Sequence, residues 1–270
     1  MTMTTDTTTT DDASPGPLGR YMDVLELVAA FPGALTLGDV SSMLALPKTT
    51  AHRLLKGLVK AGLAREAVGG RAYDLGERLT RLVHATVDDD WLATLTGPHL
   101  RQIIEGWGET CYLTRLAGGR IVVAVSQSPD VRWRGYVQPG IEMPVNAAAS
   151  AKAIMAYQDD ATLAQALAQP LPIVTANTRN DLAWVESELQ TVRERGYATC
   201  IGEIDEGLAA IAVPVTLPDG MVLHALAMTG PLQRIMNERL PERIAALVAT
   251  SAALAKALAL GTKIHERGAA

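Results

Sequence analysis

The sequence has little of the chemistry that marks disulfide-rich, metal-binding or membrane-spanning proteins. Two cysteines in 270 residues are too few for a disulfide framework, and they lack the spacing of metal ligands. The five histidines show no spacing typical of a metal site or a catalytic triad. Apolar runs such as 208–215 are far shorter than the roughly 20 residues that a membrane helix needs. We therefore expect no metal, no cofactor and no membrane partner.

Residues 1–17 lack the basic start and apolar centre of a secretory signal peptide. They are rich in Thr, Asp and Pro instead, a composition typical of disordered segments. We expect a disordered tail over 1–17 and a protein of the cytoplasm. The rest of the chain, with 48% hydrophobic and 20% charged residues overall, is long enough for two globular domains.

The formal net charge of −5 argues against a nucleic-acid partner, but the charge is unevenly distributed. Residues 18–75 carry seven Lys/Arg against five Asp/Glu, and residues 46–73 carry six against one. Exposed charges more than about 10 Å apart are largely screened at physiological salt, so the local balance matters more than the total. The segment 46–73 is therefore a candidate for contact with an anionic partner.

Periodic apolar residues predict three helices and a hairpin between residues 18 and 75. Thr36 and Asp39 have the spacing of an N-terminal capping box for the second helix. The helices are expected at 18–31, 37–44 and 47–61, and short strands at 63–65 and 72–75 around Val68-Gly69-Gly70-Arg71. This order predicts a winged helix-turn-helix.

The third helix has two chemically different faces. Ala51, Leu54, Leu55 and Leu58 share one face, and polar residues occupy the other. For a lone helix, an ordinary solvated face would be the better interpretation. The preceding helix, the tight turn and the basic hairpin favour a helix that enters the DNA major groove. The predicted DNA contacts are Lys48, Thr49, Thr50, His52, Arg53, Lys56, Lys60, Arg65 and Arg71.

Beyond a helical linker at 76–90, residues 91–262 predict a second domain of α/β (α+β) class. Hairpin turns at Gly118-Gly119 and Pro218-Asp219-Gly220 indicate a mainly antiparallel sheet. Strands are expected at 110–116, 120–127, 132–137, 198–201, 208–215 and 223–229. Helices are expected near 97–107, 150–157, 161–167, 179–195 and 237–260.

Motifs spread over residues 18–260 resemble those of IclR-type transcriptional regulators. The helix segment Leu46-Pro47-Lys48-Thr49-Thr50-Ala51-His52-Arg53-Leu54-Leu55 is similar to the recognition-helix signature of that family. The resemblance continues, in order, through 70–76, 108–110, 149–153, Asn177-Thr178, 195–197, 211–215 and Thr229-Gly230-Pro231. It implies a GAF-like effector domain, dimers joined through the N-terminal domains, and often tetramers built from two dimers. It also implies a small organic effector, often a carboxylate or an aromatic acid.

We expect a dimer to read a near-palindromic operator, with helix 18–31 and the linker after Gly76 as its contacts. The resemblance places the effector at Ala149, Ser150, Ala151, Cys200, Leu208, Ala210, Ala227 and Thr229. Several of these are less polar than the family pattern, such as Cys200 in place of Asp and Ala227 in place of Ser. Either these changes are neutral drift, or the pocket suits an aromatic or otherwise apolar acid whose carboxylate meets the helix start at 149–151.

Two other classes of protein compete with an effector-controlled regulator. Ser150 and Lys152 could be the pair of a hydrolase, but this spacing places them about 200° apart on a helix, which disfavours shared proton chemistry. An architectural DNA-binding protein would not need a second domain of this size. We expect a regulator and not an enzyme.

Overall fold

A computed structural model of the chain describes residues 16–67, 69–85 and 89–268. The chain forms two compact units that divide between Leu82 and Val83, inside the segment 76–90 predicted as a linker. The predictions for the tail up to residue 15, for Val68 and for residues 86–88 lie outside the described residues.

The N-terminal unit has the predicted order of helices and strands. It consists of α1 (Pro17–Ala30), β1 (Leu35–Thr36), α2 (Leu37–Met43), α3 (Lys48–Lys60), β2 (Ala64–Glu66) and β3 (Ala72–Leu75). The strands form an antiparallel sheet in the order β1-β3-β2. The winged helix-turn-helix is thereby confirmed. Strand β1 was not predicted, because two residues carry no periodicity.

Local contacts fix the turn and the angle between the helices of this unit. The Thr36 side chain accepts a bond from the Asp39 amide, and the Asp39 carboxylate accepts one from the Thr36 amide, so the predicted capping box is present. Ala45 adopts a φ of +50° in the turn before α3. The Ser41 hydroxyl closes that turn by donating to the Leu46 carbonyl over 2.7 Å. A Cβ on Gly57 would lie 3.0 Å from the Tyr21 hydroxyl, so α1 lies close against α3.

The second unit is built on a five-stranded antiparallel sheet. Helix α4 (Glu77–Ala85) leads to α5 (Asp89–Trp107), β4 (Thr110–Ala117) and β5 (Arg120–Gln127). The chain continues through α6 (Ala149–Met155), α7 (Asp160–Leu167), α8 (Leu182–Arg195), β6 (Ala198–Ile201), β7 (Leu208–Thr216), β8 (Val222–Pro231), α9 (Leu232–Ile235) and α10 (Leu240–Gly268). The strand order is β5-β4-β8-β7-β6, and every pair is antiparallel.

Separate cores cover the two faces of this sheet. Successive strand residues point to opposite faces, so Cys111 and Leu113 join one core with Leu92 of α5 and Leu254 of α10. Tyr112 joins the other core, together with residues of α6 and α8. Many strand residues facing α6 are alanines, among them Ala210, Ala212, Ala225 and Ala227.

Two predictions about the second unit are wrong. Residues 132–137 alternate like a strand but form none, and the carbonyls of Trp133 and Gly135 bond to side chains instead of a neighbouring strand. Helix α5 begins at Asp89, not near residue 97, and continues through Pro98. No described helix has the length and apolar character needed to cross a membrane.

Candidate functional site

The polar face of α3 is exposed as the sequence predicts. Ala51, Leu54, Leu55 and Leu58 are buried in the core of the N-terminal unit. Of the predicted contacts, Thr50 is half-buried, and the others are exposed: Lys48, Thr49, His52, Arg53, Lys56, Lys60, Arg65 and Arg71. The structure therefore presents the helix and both hairpin arginines to solvent.

Most of these cations are not neutralised within the described part of the chain. Arg65 has one carboxylate partner, Asp74, at 3.9 Å, and exposed pairs of this kind contribute little. Lys48, Arg53, Lys56, Lys60 and Arg71 form no ion pair with another described residue. Their charges are available to an anionic partner, for which the phosphates of a DNA backbone are the natural match.

A cavity of about 220 Å³ lies in the second unit, between the sheet and the start of α6. Its floor comes from three neighbouring strands, because Cys200 pairs with Ala210 and Ala210 pairs with Thr229. Ala148 and Ala149 close one side. The cavity exists because the strand residues facing α6 are small.

The structure brings together five of the eight residues predicted to hold an effector. Ala149, Cys200, Leu208, Ala210 and Thr229 line the cavity. Ser150, Ala151 and Ala227 are fully buried and do not line it. Ala227 lies one row further along the sheet, beside Tyr112 and Ala212, where α6 covers it.

Sequence reasoning missed the residues that complete the cavity. Residues 136–144, which form no helix or strand, supply Tyr136, Val137, Ile141 and Met143. This strap is fixed at Gly135, whose carbonyl accepts a bond from the Thr110 hydroxyl over 2.7 Å. No sequence periodicity marks such a segment, since tertiary bonds alone position it.

The charged side chains that line the cavity are acidic. Glu142 and Asp205 line it, and no lysine or arginine is found among its described lining residues. Glu142 lies 3.5 Å from Arg120, and Asp205 accepts a bond from the Gly207 amide over 2.8 Å. A bound anion would therefore find no basic side chain in the cavity wall.

The loop between β6 and β7, residues 202–207, lines the cavity and is held in place by an ion pair and hydrogen bonds. The buried Lys152 ammonium donates to the Glu203 carboxylate and to the Thr199 carbonyl over 3.1 Å. The Thr175 hydroxyl donates to the Gly202 carbonyl over 2.7 Å. Burial raises the pKa of Glu203 more than Lys152 lowers it. No bond joins the Lys152 ammonium to the Ser150 hydroxyl, which has no hydrogen-bond partner among the described residues.

Tyr112 was also missed by sequence reasoning. Its side chain is buried and borders the cavity. Burial raises its pKa, and the hydroxyl of Ser150 lowers it by a smaller amount. The phenol therefore keeps its proton at neutral pH. Among the described residues, His, Cys, Asp and Glu side chains do not cluster in any group able to hold a metal ion.

Comparison with known proteins agrees with both parts of the structure. The model of the IclR helix-turn-helix domain matches residues 17–67, and that of the bacterial transcriptional regulator IclR C-terminal domain matches residues 84–256. The probable transcriptional regulator SauR of Cupriavidus necator is 30% identical, over 82% of this chain and 88% of its own length.

Two solved structures extend the comparison. An IclR transcriptional regulator from Silicibacter sp. TM1040 has 26% identity and a TM-score of 0.60, covering 90% of this chain and 96% of the other. An IclR homologue from Microbacterium hydrocarbonoxydans, complexed with 4-hydroxybenzoate, has 25% identity and a TM-score of 0.57, covering 89% and 98%.

The chain belongs to the IclR family of bacterial transcriptional regulators. It is a DNA-binding protein with a C-terminal domain of the effector-binding type. The prediction of a regulator and not an enzyme is confirmed, because the matching families and relatives are transcriptional regulators.

Proposed function

We propose that this chain binds a near-palindromic operator as a homodimer or a homotetramer, and that a small organic effector in the cavity controls the operator affinity. The observation that carries the proposal is the pairing of an unneutralised basic recognition face with an apolar cavity in a separate unit. Since operator DNA is chromosomal, the protein would act in the cytoplasm.

Side-chain chemistry suggests how the operator is read. Arg53, exposed in the middle of α3, can make paired hydrogen bonds to guanine. Thr49, Thr50 and His52 suit base edges or phosphates, whereas Lys48, Lys56, Lys60, Arg65 and Arg71 suit phosphates. Base contacts would set the preferred sequence, and phosphate contacts would supply affinity and register.

The first helix supports a dimer of N-terminal units. Leu18, Met22 and Phe31, in or directly after α1, expose much of their apolar surface, and so does Leu82 of α4. A second copy of the chain would remove this surface from water. Two recognition helices would then read half-sites about 34–36 Å apart on one face of the duplex.

The cavity favours a small effector with an apolar body. Its volume of about 220 Å³ lies below the roughly 300–1,000 Å³ of pockets for drug-sized ligands. Burial of a ring against Ala210, Val137 and Met143 could contribute about 2 kcal/mol at the usual area coefficient. The relative complexed with 4-hydroxybenzoate holds an aromatic acid, which supports the prediction of an aromatic or otherwise apolar acid.

The negative charge of such an effector would add little affinity. Its partners would be amide groups at the start of α6, since no basic side chain lines the cavity and two carboxylates do. We therefore expect the apolar body to dominate. Benzoate should bind more tightly than pyruvate or glyoxylate, and neutral benzamide should bind within a few-fold of benzoate.

Operator binding in the presence and absence of ligand tests the proposal. DNA upstream of the gene for this chain, labelled for fluorescence anisotropy, would be titrated with the full-length protein with and without benzoate. Effector control predicts a change in operator affinity of either sign. If high concentrations of aromatic acids leave the operator affinity unchanged and calorimetry shows no binding of them, an architectural DNA-binding protein would be favoured. Tighter calorimetric binding of pyruvate than of benzoate would contradict the apolar cavity.

A further inference from the structure

The polar groups that border the cavity differ in whether they are free to bond a ligand. The Thr229 hydroxyl already donates to the Ala209 carbonyl over 2.9 Å. Asp205 is occupied by the Gly207 amide, and Glu142 lies beside Arg120. The Cys200 thiol is a weak donor, and burial raises its pKa. Apart from the weak Cys200 donor, none of these groups has a hydrogen left to donate to a ligand oxygen.

Tyr112 and Ser150 differ from them. The Ser150 hydroxyl is fully buried and has no well-formed hydrogen bond to any described residue. Tyr112 lines the cavity together with Cys200 of β6 and Ala149 of α6, so its side chain lies where β4, β6 and the first turn of α6 meet. Ser150 follows Ala149 directly, and its hydroxyl lies near enough to the Tyr112 hydroxyl to affect the pKa of that group.

A buried hydroxyl without a strong partner is costly, because its lost hydration is not replaced, and such groups call for an explanation. A ligand oxygen reaching this wall would satisfy the Tyr112 proton, and Ser150 would support the tyrosine from behind. No basic side chain competes for that oxygen among the cavity's described lining residues.

We propose that Tyr112, supported by Ser150, is a specificity-determining residue that donates a hydrogen bond to an oxygen of the effector. The ligand class is a small aromatic compound whose hydroxyl or carboxyl oxygen is directed towards the start of α6. The inference rests on the proposed effector function, since it assigns the polar contact of the same cavity.

The test compares two ligands, one with a hydroxyl where the other has a methyl group. It also compares two proteins that differ by one hydroxyl. The probes are p-cresol and p-xylene, which have nearly the same shape, and the variant is Tyr112→Phe. Calorimetry on the full chain should show p-cresol binding about tenfold more weakly to Tyr112→Phe than to the wild type. The affinity for p-xylene should stay within about twofold, because the ring of residue 112 is unchanged.

Controls separate this role from a structural one. Tyr157→Phe removes a hydroxyl from a tyrosine of the same domain that does not line the cavity, so it should leave both affinities as in the wild type. Ser150→Ala should also weaken the binding of p-cresol, by a smaller factor than Tyr112→Phe does. Thermal unfolding of each variant identifies any general loss of stability, which would weaken both ligands equally.

The outcomes distinguish the inference from the function on which it rests. If the wild type binds both probes and Tyr112→Phe keeps the wild-type preference, the tyrosine is not the donor and the inference fails alone. If the wild type binds neither probe nor benzoate, the aromatic-effector proposal fails and the inference fails with it. Selective loss of p-cresol binding supports both.

Discussion

Arg234 of α9 donates two hydrogen bonds to the buried carboxylate of Glu109, over 2.7 and 2.9 Å. The same guanidinium donates to the carbonyl of Trp133 over 2.8 Å. A Cβ on Gly230 would lie 2.1 Å from that carboxylate, so the glycine leaves the space that Glu109 fills. One arginine thus stabilises a buried charge and anchors the segment that leads into the strap.

Replacing Arg234 with glutamine should destabilise the second unit by about 1–3 kcal/mol, because it leaves the Glu109 carboxylate buried without its partner. Partial exposure of Arg234 favours the lower end of that range. Urea unfolding of the full chain measures the change. The double variant Glu109→Gln/Arg234→Gln should recover part of the loss. Equal stability of Arg234→Gln and the wild type would show that the pair contributes nothing.

Arg53 and Lys56 should contribute differently to operator binding. Arg53→Ala should cost on the order of 1–3 kcal/mol and relax base preference at one position of the operator. Lys56→Ala, like Arg71→Ala, should weaken all sequences alike and flatten the salt dependence. Anisotropy titrations over an operator series check both. Lys256→Ala, which removes an exposed charge from α10, is the control. Unchanged affinity and preference in Arg53→Ala would contradict the proposed orientation of α3.

The capping box makes Asp39 sensitive to Thr36. Hydrogen bonds from the Thr36 side chain and amide hold the pKa of Asp39 below its usual value. A lowered carboxyl pKa adds stability above the unfolded pKa of about 3.9, and this stability is lost as pH falls through the folded pKa. In Thr36→Val the pKa of Asp39 should rise, as measured by NMR titration of the carboxyl carbon. Thr36→Ser should retain the lowered value, and a matching rise in that variant would rule out the hydroxyl as the cause.

Gly76 lies where the hairpin returns towards α3. A Cβ there would approach the Gly62 carbonyl oxygen to 2.2 Å, and the backbone amide donates to the Leu63 carbonyl over 2.9 Å. Gly76→Ala should therefore cost about 2 kcal/mol or more, since backbone atoms must move. Gly38→Ala, in α2 with only an ordinary contact, should instead stabilise by about 0.5–1 kcal/mol. Hydrogen exchange of the α3 amides would show both effects, and equal exchange in the two variants would contradict them.

Filling the cavity should uncouple the effector from the operator. Ala210 lies on the cavity floor and is nearly inaccessible, so Ala210→Leu would place three further carbons in the space proposed for a ligand. Benzoate binding by calorimetry should fall at least tenfold, while operator affinity without ligand should match the wild type. Ala252→Leu on the exposed face of α10 controls for added apolar volume. Undiminished benzoate binding in Ala210→Leu would place the ligand elsewhere.

The sequence predicts elements with strong local signals and misses those that depend on distant partners. Thr36 and Asp39 predict a helix start from a motif of four residues, and the periodicity of α3 predicts its two faces. Residues 132–137 alternate just as a strand does, yet Thr110 and Arg234 bond their carbonyls. In the sequence, Tyr112 cannot be distinguished from any other core residue of a strand. Only the fold shows that it lies beside a cavity. The floor of the cavity was therefore predictable from the sequence, and the strap was not.

Because many of the strand residues that face α6 are alanines, substitutions there can make the cavity smaller more easily than larger. Cys200, Ala210 and the neighbouring alanines are already close to the smallest side chains a strand accepts, and glycine there would weaken the sheet. Single substitutions on the floor can therefore narrow the ligand range far more readily than widen it. Acceptance of larger ligands would have to arise at residues 136–139 of the strap, ahead of the backbone bonds that tie residues 140–143 to β5. Descendants of this chain that differ in ligand should accordingly differ first in that strap.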